Sequence, residues 1–195
     1  MNTRTGVISV AKTIAIVGTL DSKGEEFQFL KGEIERRSHR TFVIDTGVIG
    51  DPVFKADVPR ERVAEAAGTT IETLKECNDR GEAMTTMAKG IAEIIEIVHN
   101  NGTIDGIISM GGSAGTAVAT SAMRSLPMGF PKVMVSTVAA GDTTAYVGVK
   151  DIVMIPSVVD VAGINRISRQ VYANAAGVIV GMVETELEPV EEKPL

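Results

Sequence analysis

The 195-residue sequence has no tryptophan, two tyrosines, five phenylalanines, one cysteine and two histidines. Each shortage excludes a class of chemistry. With few stacking rings, and 19 Lys and Arg against 25 Asp and Glu for a net charge of −6, the chain lacks the basic and aromatic surface that nucleic-acid binding draws on. A lone Cys77 can form no intramolecular disulfide, which points to a reducing, cytoplasmic setting with the thiol buried as a small hydrophobe. One cysteine and two distant histidines cannot supply a usual zinc ligand set. They also indicate no Ser-His or Cys-His pair, since His39 and His99 fall at expected helix ends, where a surface partner for the helix dipole is the ordinary role. Long apolar runs are missing too. The first dozen residues alternate polar and small apolar types, unlike a signal peptide, and the uncharged stretch from Gly106 to Met123 is broken by Gly111, Gly112 and Gly115. No membrane segment is expected.

Glycine is what the chain has in plenty: 20 residues, about 10% against a usual value of about 7%. Their placement follows from the expected elements. Thr13 to Val17 is a β-branched run closed by Gly18, the pattern of a strand buried on both faces. Ser22-x-x-Glu25 has capping-box spacing, and Phe27, Leu30 and Ile34 form one apolar helical stripe ending near Arg36, Arg37 and His39. Thr41 to Asp45 is a second strand, so the chain opens with a βαβ unit and a parallel sheet. Pro59 is expected in the first turn of a helix that Gly68 ends, and Thr69-x-x-Glu72 and Asp79-x-x-Glu82 open two more. The last carries Met84, Met87, Ile91, Ile94, Ile95 and Val98 at helical spacing, with the methionines as core filler. Ile104 to Ser109, Lys132 to Thr137 and Ile152 to Ile155 are further strands, with a helix over Gly115 to Leu126 and a closing one from about Gly163 to Glu184. Small residues on that last helix, Ala173, Ala175, Ala176, Gly177 and Gly181 among them, would allow close packing on another helix. The expected fold is α/β, a doubly wound, mostly parallel sheet of five to six strands with helices on both faces, Rossmann- or flavodoxin-like. It spans residues 13–184, after an extension over 1–12 and before an acidic tail or linker over 185–195.

In such a sheet, ligands bind beyond the carboxyl ends of the strands. The segments there are Gly18-Thr19-Leu20-Asp21-Ser22-Lys23-Gly24, Asp45-Thr46-Gly47, Met110-Gly111-Gly112-Ser113-Ala114-Gly115-Thr116, Val138-Ala139-Ala140-Gly141-Asp142-Thr143 and Pro156-Ser157. Any one of them is explained as a turn with a cap; five together indicate a ligand edge. In the third loop Gly111, Gly112 and Gly115 free backbone N–H groups at a helix start, Ser113 and Thr116 add hydroxyls, and the dipole favours a phosphate. The first loop is a second anion cradle, with Lys23 as a point charge. Its spacing matches neither GxxxxGK[ST] nor GxGxxG. Asp21 and Asp142 could hold Mg²⁺ between phosphates and Asp45 could accept from a ribose hydroxyl, or each could cap a neighbouring backbone. The remaining inventory of carboxylate, hydroxyl, lysine and backbone suits binding or transfer of phosphoryl-bearing molecules.

Five co-linear segments carry a resemblance: TIAIVGTLDSKGEE at 13–26, FVIDTGV at 42–48, GGSAGT at 111–116, PKVMVSTVAAGD at 131–142 and SVVDVAGINRIS at 157–168. Together they resemble the ATP-binding domain family of the tomato mosaic virus resistance protein and its uncharacterised microbial relatives, over about Thr13 to Val183. The resemblance implies an α/β domain that binds ATP with Mg²⁺, associates as a homodimer and is followed by a second α/β half. Members usually carry glycine at the position of Ala114 and serine at that of Ala140; the first change narrows the room over the phosphates and the second removes a hydroxyl beside Asp142. The nucleotide site expected is Gly18, Thr19, Asp21, Ser22, Lys23, Thr46, Gly47, Gly111, Gly112, Ser113, Gly115, Thr116, Gly141 and Asp142. Two alternatives stand beside it: an enzyme acting on a small phosphorylated or carboxylated metabolite at the same loops, and a regulatory module that dimerises through its last helix.

Overall fold

In the β-branched run Thr13–Gly18, every residue from Ile14 to Gly18 is buried, because helices cover both faces of the strand that it forms, β1. The computed structural model describes residues 10–77, 79–160 and 163–187. Among them the elements run in the order β1 (Thr13–Gly18), α1 (Gly24–Glu35), β2 (Arg40–Asp45), α2 (Arg60–Ala66), α3 (Ile71–Cys77), α4 (Arg80–Asn100), β3 (Gly106–Gly111), α5 (Ser113–Ser125), β4 (Lys132–Ser136), α6 (Thr144–Val147), β5 (Val153–Pro156) and α7 (Arg166–Glu184). The five strands form one sheet in the order β2-β1-β3-β4-β5, all neighbours parallel. This is the doubly wound α/β architecture with flavodoxin-like strand order, whose direction of winding reverses between β1 and β3. The expected five to six strands resolve to five among the described residues.

Alternation along β1 divides the core. Ala15 and Val17 face a cluster with Ile44, Val63, Met87, Ile91, Ile95 and the α5 residues Ala119 and Ala122. Ile14 and Ile16 face Phe27, Leu30 and Ile34 of α1 and Tyr172, Ala176 and Ile179 of α7. Helices α2 to α5 therefore cover one face and α1 with α7 the other. Each fully buried Ile, Leu or Phe contributes about 1.5–3 kcal/mol of transfer free energy. The small-residue side of α7 is divided by this packing: Ala175 and Ala176 are buried against the sheet, while Gly177 and Gly181 stay exposed.

Several local expectations are corrected. Ser22 does not cap α1; its hydroxyl donates to Thr19 Oγ1 at 3.0 Å, and Lys23 is the residue before the helix, with no side-chain cap. Pro59 lies just before α2 rather than inside its first turn. Thr70, not Thr69, accepts from Thr73 N at 3.2 Å to open α3. Asp79 does cap α4, accepting from Gly81 N and Glu82 N at 2.8 and 3.0 Å. Helix α5 begins at Ser113, two residues before the expected start. Helix α7 begins at Arg166 under a capping box of Asn165 and Ser168, a signal missed because Ser replaces the usual Glu or Gln. Cys77 is exposed, its thiol donating to Glu82 Oε2 at 3.0 Å, because it ends α3 at the surface. His39 is buried rather than a surface partner: its Nδ1 accepts from Lys12 N at 3.1 Å and its Nε2 lies 3.1 Å from Glu184 Oε1, joining the approach to β1 to the end of α7. No helix among the described residues is long and apolar enough to cross a membrane. Most of the expected tail, 188–195, lies outside the described residues.

Candidate functional site

Parallel pairing sets the ends of β1 and β3 side by side, and a cleft of about 800 Å³ opens there. That volume is within the range of small-molecule sites. Gly18, Thr19, Asp21, Ser22 and Lys23 line it from the first loop, Thr46, Val48 and Ile49 from the second, and Gly111, Gly112, Ser113, Ala114 and Gly115 from the third. Helices α3 and α4 close the far side with Leu74, Lys75, Arg80, Ala83, Met84 and Met87.

The start of α5 presents uncapped backbone donors to the cleft. Gly112 precedes it in extended backbone, and no side chain caps the helix. The first intrahelical bond after it runs from Thr116 N to Gly112 O at 2.9 Å, so the N–H groups of Ser113, Ala114 and Gly115 have no helical acceptor. Two different reasons account for the glycines. A Cβ on Gly111 would stand 3.2 Å from Gly115 Cα, so the turn itself needs that residue small, whereas a Cβ on Gly112 would meet nothing nearer than Thr137 Oγ1 at 3.8 Å. Gly112 thus leaves space that the protein does not fill. At Gly18 the demand is packing, because a Cβ would meet the Phe27 ring at 2.0 Å.

The carboxylates of the first two loops serve mainly as clamps. Asp21 Oδ2 accepts from Ile49 N and Gly50 N at 2.9 and 3.1 Å, and Gly47 is required because a Cβ there would lie 2.7 Å from the Asp21 carboxyl carbon. Asp45 is buried, with Oδ1 accepting from Leu20 N at 3.0 Å and Gly47 N at 2.8 Å. It ties two loops together, which is the backbone-capping alternative of the two roles open to it. Burial raises its pKa, opposed by these two backbone hydrogen bonds, with Asp21 raising it further and Arg60 lowering it. The second loop is also held by Arg60, whose guanidinium donates to Gly50 O.

Other expected residues are not brought to the cleft. Thr116 is fully buried; its hydroxyl bonds to Gly112 O at 2.8 Å and meets Ser136 Oγ at 2.6 Å, locking α5 to β4. Gly47, Gly141 and Asp142 are outside the lining. Asp142 accepts from Thr144 N at 2.9 Å, and hydrogen bonding to Thr144 lowers its pKa. Asp21 and Asp142 therefore do not share the cleft as a metal pair, and among the described residues no three His, Cys, Asp or Glu side chains cluster as a metal site.

The lining also contains groups that the loop reading missed. Lys75 and Arg80 add two cations to Lys23, and none of the three enters an ion pair with another described residue. They balance the three carboxylates of the same lining, Asp21, Asp79 and Asp160, on a chain whose net charge is −6. Asp160, after β5, lines the cleft as well. Met84 and Met87, expected as core filler, form part of its apolar wall, and Met87 is also a buried core residue. The available sequence signal for Lys75 and Arg80 was their place at the junction of two helices, which becomes a cleft wall only when α3 and α4 fold over the sheet edge.

Residues 12–188 match the N-terminal domain of the uncharacterised protein family UPF0261. The chain is 50% identical over 185 residues to a UPF0261 protein of Clostridium tetani, covering 94% of this chain and 46% of that protein. A UPF0261 protein of Rhizobium meliloti is 40% identical over 183 residues, covering 94% and 45%. The ToMV resistance protein Tm-1 of Solanum lycopersicum is 37% identical over 195 residues, covering 90% of this chain and 25% of that protein. The chain thus spans less than half the length of these relatives, and the match extends from β1 through α7 and takes in every loop of the cleft. The chain belongs to the UPF0261 family, to which it corresponds as the N-terminal domain.

Proposed function

We propose that the domain binds a nucleotide, ATP, in the cleft between the ends of β1 and β3. The observation that carries the reading is the uncapped start of α5, whose three successive N–H groups lie beside the unfilled space over Gly112 in a cleft that also receives Lys23, Lys75 and Arg80. Phosphates would lie against the α5 N–H groups. The apolar wall of Leu74, Met84, Met87, Val118 and Ala119 suits the flat face of a base, which favours a nucleotide over the alternative of a small sugar phosphate. A Mg²⁺ carried by the nucleotide fits the oxygen donors present: Asp160 makes no hydrogen bond among the described residues, and Asp21 uses only Oδ2 in its clamp. Mg²⁺ is commonly held by one or two carboxylates together with substrate phosphates. Bound there, it would neutralise phosphate charge beside the carboxylates. Asp160 replaces Asp142 in this role.

Calorimetric titration with Mg-ATP tests the reading: saturable heat at micromolar to millimolar nucleotide is expected, and none from folded protein would remove it. Stabilisation by sugar phosphates but not by ATP in a thermal-shift panel would favour the metabolite-enzyme alternative. Association as a homodimer is a separate part of the proposal, with the exposed Gly177 and Gly181 strip of α7 as the contact. A monomer by light scattering at micromolar concentration would remove it.

A further inference from the structure

Away from the cleft, α1 and α7 pack side by side and leave between them a shallow recess of about 330 Å³. One wall is Phe29 and Glu33 of α1 with Arg36 just after the helix; the other is Arg166, Arg169 and Gln170 of α7. Glu33 is the one carboxylate among the lining residues, and it is doubly engaged, by Arg36 and by Arg37 Nη1 at 2.9 Å. Arg37 also donates to Ala173 O at 3.3 Å and so fastens the two helices together. Three lining guanidinium groups, those of Arg36, Arg166 and Arg169, against one lining carboxylate leave a cationic patch on an acidic chain.

Two features of this patch oppose the ordinary reading of surface arginines as helix solvation. First, Arg166 and Arg169 fall in the opening turn of α7, which contains no acidic residue. The helix dipole disfavours cations at that end, so the placement works against the stability of the helix. Secondly, neither residue has an ion-pair partner among the described residues, yet Arg169 is held with its guanidinium carbon 5.2 Å from the centre of the Phe29 ring. This contact holds the guanidinium over the ring face and leaves N–H donors free to receive bidentate acceptors.

We infer that this recess is a binding site for a small phosphate-bearing anion, about the size of a diphosphate, held by Arg166 and Arg169 with Arg36 at the opposite wall. The volume is near the lower end for small-molecule sites, and arginine forks match phosphate oxygens bidentately. The site is independent of the nucleotide reading. A bound anion would compensate both the arginine excess and the unfavourable cations at the start of α7.

The probe is inorganic pyrophosphate, titrated into the 15N-labelled protein at fixed ionic strength and followed by amide shifts, with the double variant R166Q/R169Q beside it. Saturable shifts at residues 29–37 and 166–173, and affinity at least tenfold weaker in the double variant, are the expected result. Without ligand the variant should melt close to the parent, since removing two cations from a helix N-terminus offsets the loss of the Arg169–Phe29 contact. Shifts confined to residues 111–118 would assign the anion to the cleft alone and overturn the inference. So would the absence of saturable shifts, or equal affinity in the double variant.

Discussion

A valine at position 112 separates the nucleotide reading from a purely structural account of the glycine loop. Gly112 has φ −74° and ψ −170°, extended backbone that valine adopts readily. A Cβ there would find Thr137 Oγ1 at 3.8 Å as its nearest neighbour, an ordinary contact. The substitution therefore adds three carbons to space that the protein does not use. Losing glycine just before a helix costs up to about 1 kcal/mol, which for a domain of this length lowers Tm by about 2–4 °C. Binding should suffer more. Hydrogen bonds to a charged group are worth about 1.5–3 kcal/mol each, so displacing a phosphate from even one of the N–H groups of Ser113, Ala114 and Gly115 weakens affinity by about tenfold to a hundredfold. Calorimetry with Mg-ATP on the parent, Gly112→Ala and Gly112→Val gives a graded series, while circular dichroism confirms that each is folded. Equal affinity across a folded series would refute the assignment of phosphates to the start of α5.

Three further expectations concern the scaffold. Lys132 is fully buried, donating to Pro127 O at 2.8 Å and Phe130 O at 2.7 Å and pairing with Asp151 at 2.9 Å; Lys132→Met should cost about 3 kcal/mol, the low end for breaking a buried pair because Asp151 remains partly hydrated, and a Tm within a degree or two of the parent would contradict it. Gly90→Ala should destabilise although alanine is intrinsically better by about 1 kcal/mol in a helix, because its Cβ would lie 2.0 Å from Val63 O where α4 crosses α2; a rise in Tm would show that the crossing yields. Asp45 has a raised pKa, caused first by burial, so the folded chain holds its proton more tightly than the unfolded chain and this contribution to stability is lost as pH rises through the raised value. Asp45→Asn keeps an oxygen for Leu20 N and Gly47 N, so urea melts should show its stability gaining on the parent across that window; parallel pH profiles would contradict the burial argument.

Local patterning already contained the strands and most of the helices, because β-branched runs and three-and-four spacing report burial directly in the order of residues. The turn from β3 into α5 was legible too, since consecutive glycines mark a tight turn. The clamps were not. Whether Asp21 and Asp45 face a ligand or a backbone depends on how the first and second loops approach each other, and Thr116 turns inward only because β4 brings Ser136 against it. The burial of His39 likewise required α7 to end beside β2.

By itself, then, the order of residues determined an alternating α/β chain with glycine- and hydroxyl-rich turns beyond its strands, through short-range periodicity and capping chemistry. Tertiary structure decided the strand order that brings the first and third loops together, the helix pair that adds Lys75 and Arg80 to the cleft, and the exclusion of Asp142 from it. These depend on contacts between segments far apart in the chain, which no local pattern encodes.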